Sequence, residues 1–415
     1  MTCSKAIALI LQPSRSLLPW TILPEPMRII LLRHYAPSVG PSMAAFADLV
    51  KQGLRKRGHH VTELTPPILL GGWLPQRWPW HWLGYVDQFL LFPPILWWSL
   101  RSLPRQSLIV LTDQALGPWM CVVRHYPHVV HVNDMLALEG SLGLLPEHRP
   151  GRTGRLYQRW IRHGFRQALC FLSISEATRL ALQRQLSTSP LFSDVALLPL
   201  PSRFGPLPAE SVEAALSREL PRLQGRRFLF HIGRNWYKNR QGVLAIWERL
   251  SSRWGDLDLV LVGSLSPALV LWLQQHPALA DRLFVLDHAS DELIVSLYNR
   301  AAGLLFPSYY EGFGWPILEA MACGCPVFTT DRAPMSEVGG TAAYYLPPCP
   351  PEPQLFIDWA DQAALLVASG LDLDDAKAEH RRQLGMAWAH SFDYDRWLDQ
   401  LDAHYRRALV LQGAG

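Results

Sequence analysis

A chain of 415 residues with 49% hydrophobic and 18% charged content can bury the cores of two or three globular domains, which excludes a disordered or fibrous polypeptide. Its 39 Lys and Arg against 35 Asp and Glu leave a formal charge of +4, too small at this size for bulk nucleic-acid binding, so any basic surface must be local. The six cysteines, at positions 3, 121, 170, 323, 325 and 349, have neither the density of a disulfide scaffold nor the paired spacing of a structural zinc site, which points to a reducing, cytoplasmic setting.

No run reaches the roughly 18 apolar residues that a helix needs to cross a bilayer, so a soluble protein is expected. Residues 1–26 carry only a short apolar run, Ala6 to Leu11, broken by Gln12 and Pro13. They read as a flexible extension or a misassigned start, because a better strand opens at Met27.

From Met27 the order is strand, loop (Arg33 to Ser42) and an amphipathic segment ending at Arg57-Gly58. Further apolar strands at Ser107 to Leu111, Val129 to Val132 and Leu169 to Ile174 continue a βαβ alternation and predict a parallel sheet in residues 27–205. Prolines 199, 201, 206, 208 and 221 then break regular structure around one short helical stretch, placing a linker at 206–225. A second series follows in 226–390, with strands at Arg227 to Ile232, Leu257 to Val262, Arg282 to Leu286, Gly303 to Phe306 and Val327 to Thr330. A helix closes the chain over 391–415. The predicted class is α/β: two Rossmann-like, doubly wound domains facing a cleft, with ligands at the carboxyl ends of the strands.

After the strand Gly303 to Phe306 comes Pro307-Ser-Tyr-Tyr-Glu311-Gly312-Phe313-Gly314-Trp315, and Pro316 then opens a helix that Gly324 ends. Gly312 and Gly314 permit close backbone approach, and the helix start offers unpaired N–H groups, a ready anion site. Glu311 and Glu319 flank it. Carboxylates repel phosphate but accept charge-assisted hydrogen bonds from hydroxyl groups, so a diphosphate between hydroxylated rings, a nucleotide sugar, suits the set. A role in complementing the helix dipole, about 0.3 to 1 kcal/mol each, accounts for the spacing equally well. The strand Arg227 to Ile232 ends in Gly233-Arg234-Asn235-Trp236-Tyr237-Lys238-Asn239, where Arg234 supplies a planar fork and Lys238 a mobile point charge for a diphosphate. Ordinary solvated surface charges are the competing reading; it loses ground because both loops lie at strand ends of one sheet.

These residues resemble glycosyltransferase family four, retaining enzymes of the GT-B fold. The resemblance rests on Glu311-Gly-Phe-Gly-Trp-Pro-Ile-Leu-Glu319-Ala-Met-Ala-Cys-Gly324-Cys-Pro-Val, on Gly233-Arg234 with Lys238-Asn239, and on Ser336-Glu337-Val338-Gly339-Gly340 with Ala342-Ala343. It covers most of residues 225–350. It implies that Glu311 binds hydroxyls of the donor sugar, that Glu319 holds the ribose, and that Arg234 and Lys238 bind the diphosphate. The amides of Gly312, Phe313 and Gly314 would complete the cradle beside Gly233. The implied reaction moves a hexosyl group from a UDP- or GDP-sugar to a hydroxyl acceptor, a glycan or lipid-linked intermediate among the options. Fixed cations stabilise the departing charge, with no cofactor and no essential metal.

The N-terminal half is similar to the family more loosely, through Met27 to Gly58, His131-Val-Asn133-Asp134 and Ser173-Ile-Ser175-Glu176-Ala-Thr178. Acceptor-side candidates are Gly40, Asp113 with Gln114, Asn133 and Asp134. Asn133-Asp134 stands where many members of the family have His-Asp, and Gly40-Pro41 where many have a glycine pair. Asn133 can hydrogen-bond a sugar hydroxyl but does not titrate near neutrality. His131 reads as a buried core histidine, and a loop Asp at position 113 is more often a turn former.

Trp73, Trp78, Trp80, Trp82, Trp97 and Trp98 crowd residues 71–100; core packing is the default meaning, with a membrane-interface or sugar-stacking role as the alternative. Arg152, Arg155, Arg159, Arg162 and Arg166 fall within an arc of roughly 80° on one helix. Such a stripe is commonly a solvated face, but it also suits an anionic bilayer, and peripheral contact with the inner face of the membrane is hypothesised. Two rival functions remain. Gly312-Phe-Gly314 with Asp331 imitates the fingerprint of an NAD(P)-dependent oxidoreductase, although Ile317 stands at the third glycine position. A nucleotide-sugar-binding protein without transferase activity is made conceivable by Asn133.

Overall fold

The computed structural model describes residues 25–413 other than residue 39, residues 72–82 and residue 105. Among the described residues twelve strands form two six-stranded parallel sheets. The first holds β1 (Arg28–Leu32), β2 (His60–Leu64), β3 (Leu108–Leu111), β4 (His128–Val132), β5 (Cys170–Ser173) and β6 (Phe192–Val195), in the order β2-β1-β3-β4-β5-β6. The second holds β7 (Arg227–Ile232), β8 (Leu257–Val262), β9 (Leu283–Leu286), β10 (Gly303–Phe306), β11 (Val327–Thr330) and β12 (Tyr344–Leu346), in the order β12-β11-β10-β7-β8-β9.

The interior strands are continuous apolar runs because parallel sheets are covered on both faces: β3, β10 and β11 are buried at every residue. Sequence patterning finds these. It misses β2, β6 and β12, all of them sheet edges, whose half-exposed segments HVTEL, FSDV and YYL mix polar and apolar positions. These three have no apolar run to announce them, whereas the fourth edge, β9, reads Leu-Phe-Val-Leu and is found.

The chain divides into two compact units. The first gathers the described residues up to His131, Gln167–Cys170 and the end of the chain from Asp402. Its C-terminal segment is tied to β4: Gln412 accepts from the His128 amide at 3.1 Å and donates to its carbonyl at 2.8 Å. A 2.6 Å hydrogen bond joins the Tyr405 hydroxyl to His131 Nε2. His131 is fully enclosed, and burial pulls its pKa down to about 3, so it is a neutral core residue.

The second unit takes Val132–Arg166 and Phe171–Leu401. Residues 206–225 lie in it and contain the helix Ala209–Glu219. Its core packs helices Arg240–Arg253 and Phe356–Leu371 on the second sheet around Trp247, whose indole donates to the Leu257 carbonyl at 2.9 Å. In this sheet the chain proceeds from β7 outward through β8 to β9, then returns to the other side of β7 as β10. That reversal makes the carboxyl ends of β7 and β10 the topological switch point, where open parallel sheets take ligands.

Candidate active site

The two loops leaving the switch point are pinned together. Asn239, at a left-handed φ of 51°, caps the helix Arg240–Arg253 by accepting from the Gly242 amide at 3.0 Å, while its Nδ2 donates to the Pro307 carbonyl at 3.0 Å. The Tyr309 amide donates to the Tyr237 carbonyl at 2.8 Å. Between these ties Lys238 Nζ meets Glu311 Oε1 at 2.7 Å, with side chains only 12% and 7% exposed. The Lys238 ammonium also sits 4.5 Å from the centre of the Phe306 ring. Gly233, at φ +112°, has a backbone shape that favours glycine, and a Cβ there would come within 2.9 Å of Lys238 Cε. Arg234 follows, exposed at the same end of the sheet, its Cβ 3.2 Å from where Gly263 would carry one.

Glu319 lies in the helix Trp315–Ala322 and is 8% exposed. The fully buried Tyr298 donates its hydroxyl to Glu319 Oε2 at 2.9 Å. Burial pushes the Glu319 carboxyl up to about 7, opposed by that hydrogen bond and by the charges of Arg203 and Lys238. Gly314, at φ +102°, precedes the helix in a backbone shape that favours glycine. The Phe313 side chain is core, edge-on to Phe392.

Gly312 is confined most tightly. A Cβ on it would lie 2.1 Å from the Asn133 carbonyl oxygen, and its own carbonyl accepts from Ser175 Oγ at 2.8 Å and Thr178 Oγ1 at 3.2 Å. Ser175 caps the helix Glu176–Gln183, and the amides of Glu176 and Ala177 each donate to the Glu337 carboxylate at 2.8 Å.

Residues 226–364, which contain both switch-point loops, match the family described as Glycosyl transferases group 1. The chain is 35% identical over 111 residues to the serotype-specific mannosyltransferase WbdA of Escherichia coli, a match covering 26% of this chain and 14% of that protein. It is 26% identical over 328 residues to O-antigen chain mannosyltransferase B of Escherichia coli, covering 78% and 83%. It is 31% identical over 150 residues to D-inositol 3-phosphate glycosyltransferase of Mycolicibacterium smegmatis, covering 35% and 32%. Among solved structures it resembles sucrose-phosphate synthase from Thermosynechococcus elongatus, with a TM-score of 0.69 and 18% identity over 94% of this chain and 100% of that one. It also resembles Anabaena HepE in complex with UDP and glucose, with a TM-score of 0.64 and 17% identity over 91% and 98%. The fold is GT-B.

Ahead of the group 1 domain, the acceptor-side candidates divide. Gly40 and Asp113 belong to the first unit. Gly40 caps the helix Pro41–Lys56, and a Cβ there would meet nothing within 4 Å. Asp113 is buried and does two jobs at the end of β3: Oδ1 accepts from the Ala115 amide at 3.1 Å, and Oδ2 meets His34 Nε2 at 3.0 Å. Asn133 and Asp134 belong to the second unit, against Gly312. Asp134 accepts from the Leu136 amide at 3.0 Å in a local turn.

Trp73, Trp78, Trp80 and Trp82 lie outside the described residues. Trp97 and Trp98 are not core: they stand 47% and 75% exposed on the helix Phe92–Arg101, whose inward face is Phe92, Leu96 and Leu100. The five-arginine stripe also divides. Arg152, Arg155 and Arg159 face solvent beside exposed Leu156 and Trp160, whereas Arg162 is half-buried and Arg166 donates to the Gln185 carbonyl.

Sequence reading missed Tyr298, His34, the tie made by Asn239, and Arg240. None has a local signature, because each acts on a residue brought close by the strand order or by a distant turn.

Proposed function

We propose that the protein is a retaining glycosyltransferase that moves a hexosyl group from a UDP- or GDP-sugar to a hydroxyl acceptor, with mannose the first donor sugar to test because its relatives bear that name. The observation that carries this reading is the 2.7 Å Lys238–Glu311 pair, held between two loop ties at the switch point of the group 1 domain. A cation and a carboxylate side by side suit a ligand that is a diphosphate at one end and a polyol at the other. Lys238 and Arg234 would stabilise the negative charge that grows on the departing nucleoside diphosphate, a device that requires no metal. Glu311 would accept from sugar hydroxyls, and Glu319, once ionised, from the ribose.

The test is product analysis with a panel of UDP- and GDP-sugars, following both nucleoside diphosphate release and the anomeric configuration of the product. Lys238→Ala removes a charged contact worth ~1.5 to 3 kcal/mol, so turnover should fall on the order of ten- to a hundredfold. Unchanged turnover, an inverted product or loss of activity on chelation would each refute a part of the reading. Donor binding without transfer would instead favour the non-catalytic alternative. No helix among the described residues is long and apolar enough to cross a membrane. Peripheral contact with an anionic bilayer would fall to the exposed Arg152, Arg155, Arg159 and Trp160.

A further inference from the structure

Arg240 opens the helix Arg240–Arg253 directly behind the Gly233 turn and is buried. Its guanidinium is caged by backbone carbonyls: Nε donates to Gly233 at 2.8 Å, Nη1 to Ser264 at 2.7 Å, and Nη2 to Val262 at 2.9 Å and Gly263 at 2.8 Å. These oxygens belong to the carboxyl ends of β7 and β8 and the turns that follow them. Among the described residues no carboxylate pairs with it.

Carbonyl dipoles satisfy the donors of a guanidinium but leave its charge in place, and a buried charge is usually neutralised by a partner. The surroundings make this one more unusual. Gly233 has Lys238 methylenes on one side and the Arg240 Nε on its carbonyl, and Gly263, at φ +115°, has no room for a Cβ because Arg240 Nη2 would lie 2.8 Å from it. Arg234 projects from the same turn. Lys238 and Arg240 thus border one glycine, with Arg234 next to it in the chain, and among the described residues Lys238 alone of the three has a carboxylate partner, Glu311. Burial without a carboxylate partner disfavours the charged form of Arg240 and lowers its pKa, and a bound anion is what would offset that cost.

We propose that Arg240 supplies the third positive charge of the diphosphate site: it holds the Gly233 and Gly263 turns that present Arg234, and its field acts on the phosphates without touching them. The inference rests on the nucleotide-sugar reading above. It makes Arg240 a positioning residue with an electrostatic component.

The test measures calorimetric affinities of wild type, Arg240→Gln and Arg240→Lys for UDP and GDP, the corresponding monophosphates and the uncharged nucleosides, together with thermal stability. Diphosphate affinity in Arg240→Gln should fall on the order of tenfold, monophosphate affinity by less and nucleoside affinity not at all. Arg240→Lys keeps the charge but cannot span four carbonyls, so it should regain most of the diphosphate affinity while remaining less stable than wild type. A purely structural role predicts the opposite: equal losses for all three ligand classes and no rescue by lysine. Either of those results, or diphosphate affinity unchanged in Arg240→Gln, overturns the proposal. Should Arg240→Gln fail to fold, a tenfold loss in folded Arg240→Lys overturns it, and retention of diphosphate affinity there supports it. Failure of wild type to bind any nucleoside diphosphate would refute the nucleotide-sugar reading itself, and this inference with it.

Discussion

Replacing Glu319 by Gln should change how stability depends on pH more than it changes stability itself. The carboxyl is enclosed and its pKa stands at about 7 against the usual 4.5. A raised folded-state pKa means that the native state holds the proton more tightly than the unfolded chain does. The stabilisation from that proton is complete below pH 4.5 and disappears as pH rises through 7. With 1.36 kcal/mol for each unit, the interval corresponds to about 3 kcal/mol. Solvent screening takes little from this figure, because the residue is only 8% exposed. Glutamine does not titrate, and its amide oxygen can still accept from Tyr298, 2.9 Å away in the native protein. Its buried NH2 group brings a separate cost of about 1 to 3 kcal/mol if left unpaired, but that cost does not vary with pH. Thermal or denaturant unfolding of both proteins from pH 4.5 to 9 isolates the difference. The variant should gain on wild type steadily up to pH 7 and then run level, with a total relative gain of order 3 kcal/mol. Parallel curves would show that Glu319 is ionised in the native protein like any exposed glutamate, and the burial argument would fail. If Glu319 receives ribose hydroxyls, nucleotide binding near pH 6.5 should also release a proton, visible as a buffer-dependent binding enthalpy.

Other outcomes follow from single contacts. Gly312→Ala must move either its own loop or residues 133–134, because its Cβ would sit 2.1 Å from the Asn133 oxygen; a stability loss of about 1 to 3 kcal/mol, read from chemical denaturation, should accompany a weakened donor site. Tyr405→Phe removes the partner of His131 Nε2 and should cost about 1 to 3 kcal/mol in the first unit, with no direct effect on nucleotide affinity measured by calorimetry. Replacing Arg152, Arg155 and Arg159 together by Gln should abolish co-flotation with vesicles rich in anionic lipid if that helix meets the bilayer; flotation equal to wild type would assign the surface no such role.

What was legible in the sequence follows the number of covered faces. Interior strands such as Leu257–Val262 announce themselves, since both faces of a parallel sheet demand apolar residues and even Asp258 within this one is buried. The edge strand Phe192–Val195 has one buried residue in four and offers no apolar run. Tryptophans 97 and 98 mislead in the opposite direction: their apolar character predicts a core, yet the helix turns Phe92, Leu96 and Leu100 inward and leaves both indoles outside.

The site shows the same division at a finer scale. Glu311, Lys238 and Gly312 are recognisable because each chemistry needs that residue type at a strand end, and the strand ends are local features. Their holders are not local. Asn239 caps its own helix locally, but its amide reaches Pro307 only because β7 and β10 are neighbours, a consequence of the chain running out to β9 and returning. Ser175 likewise caps its own helix, and its second bond, to the Gly312 carbonyl, appears only once residues 133–134 and 175–178 are packed on the motif loop. A residue whose role depends on one element leaves a trace in spacing. A residue whose role depends on two elements leaves its trace in topology, and the strand order at the switch point is the quantity that hydrophobic patterning does not contain.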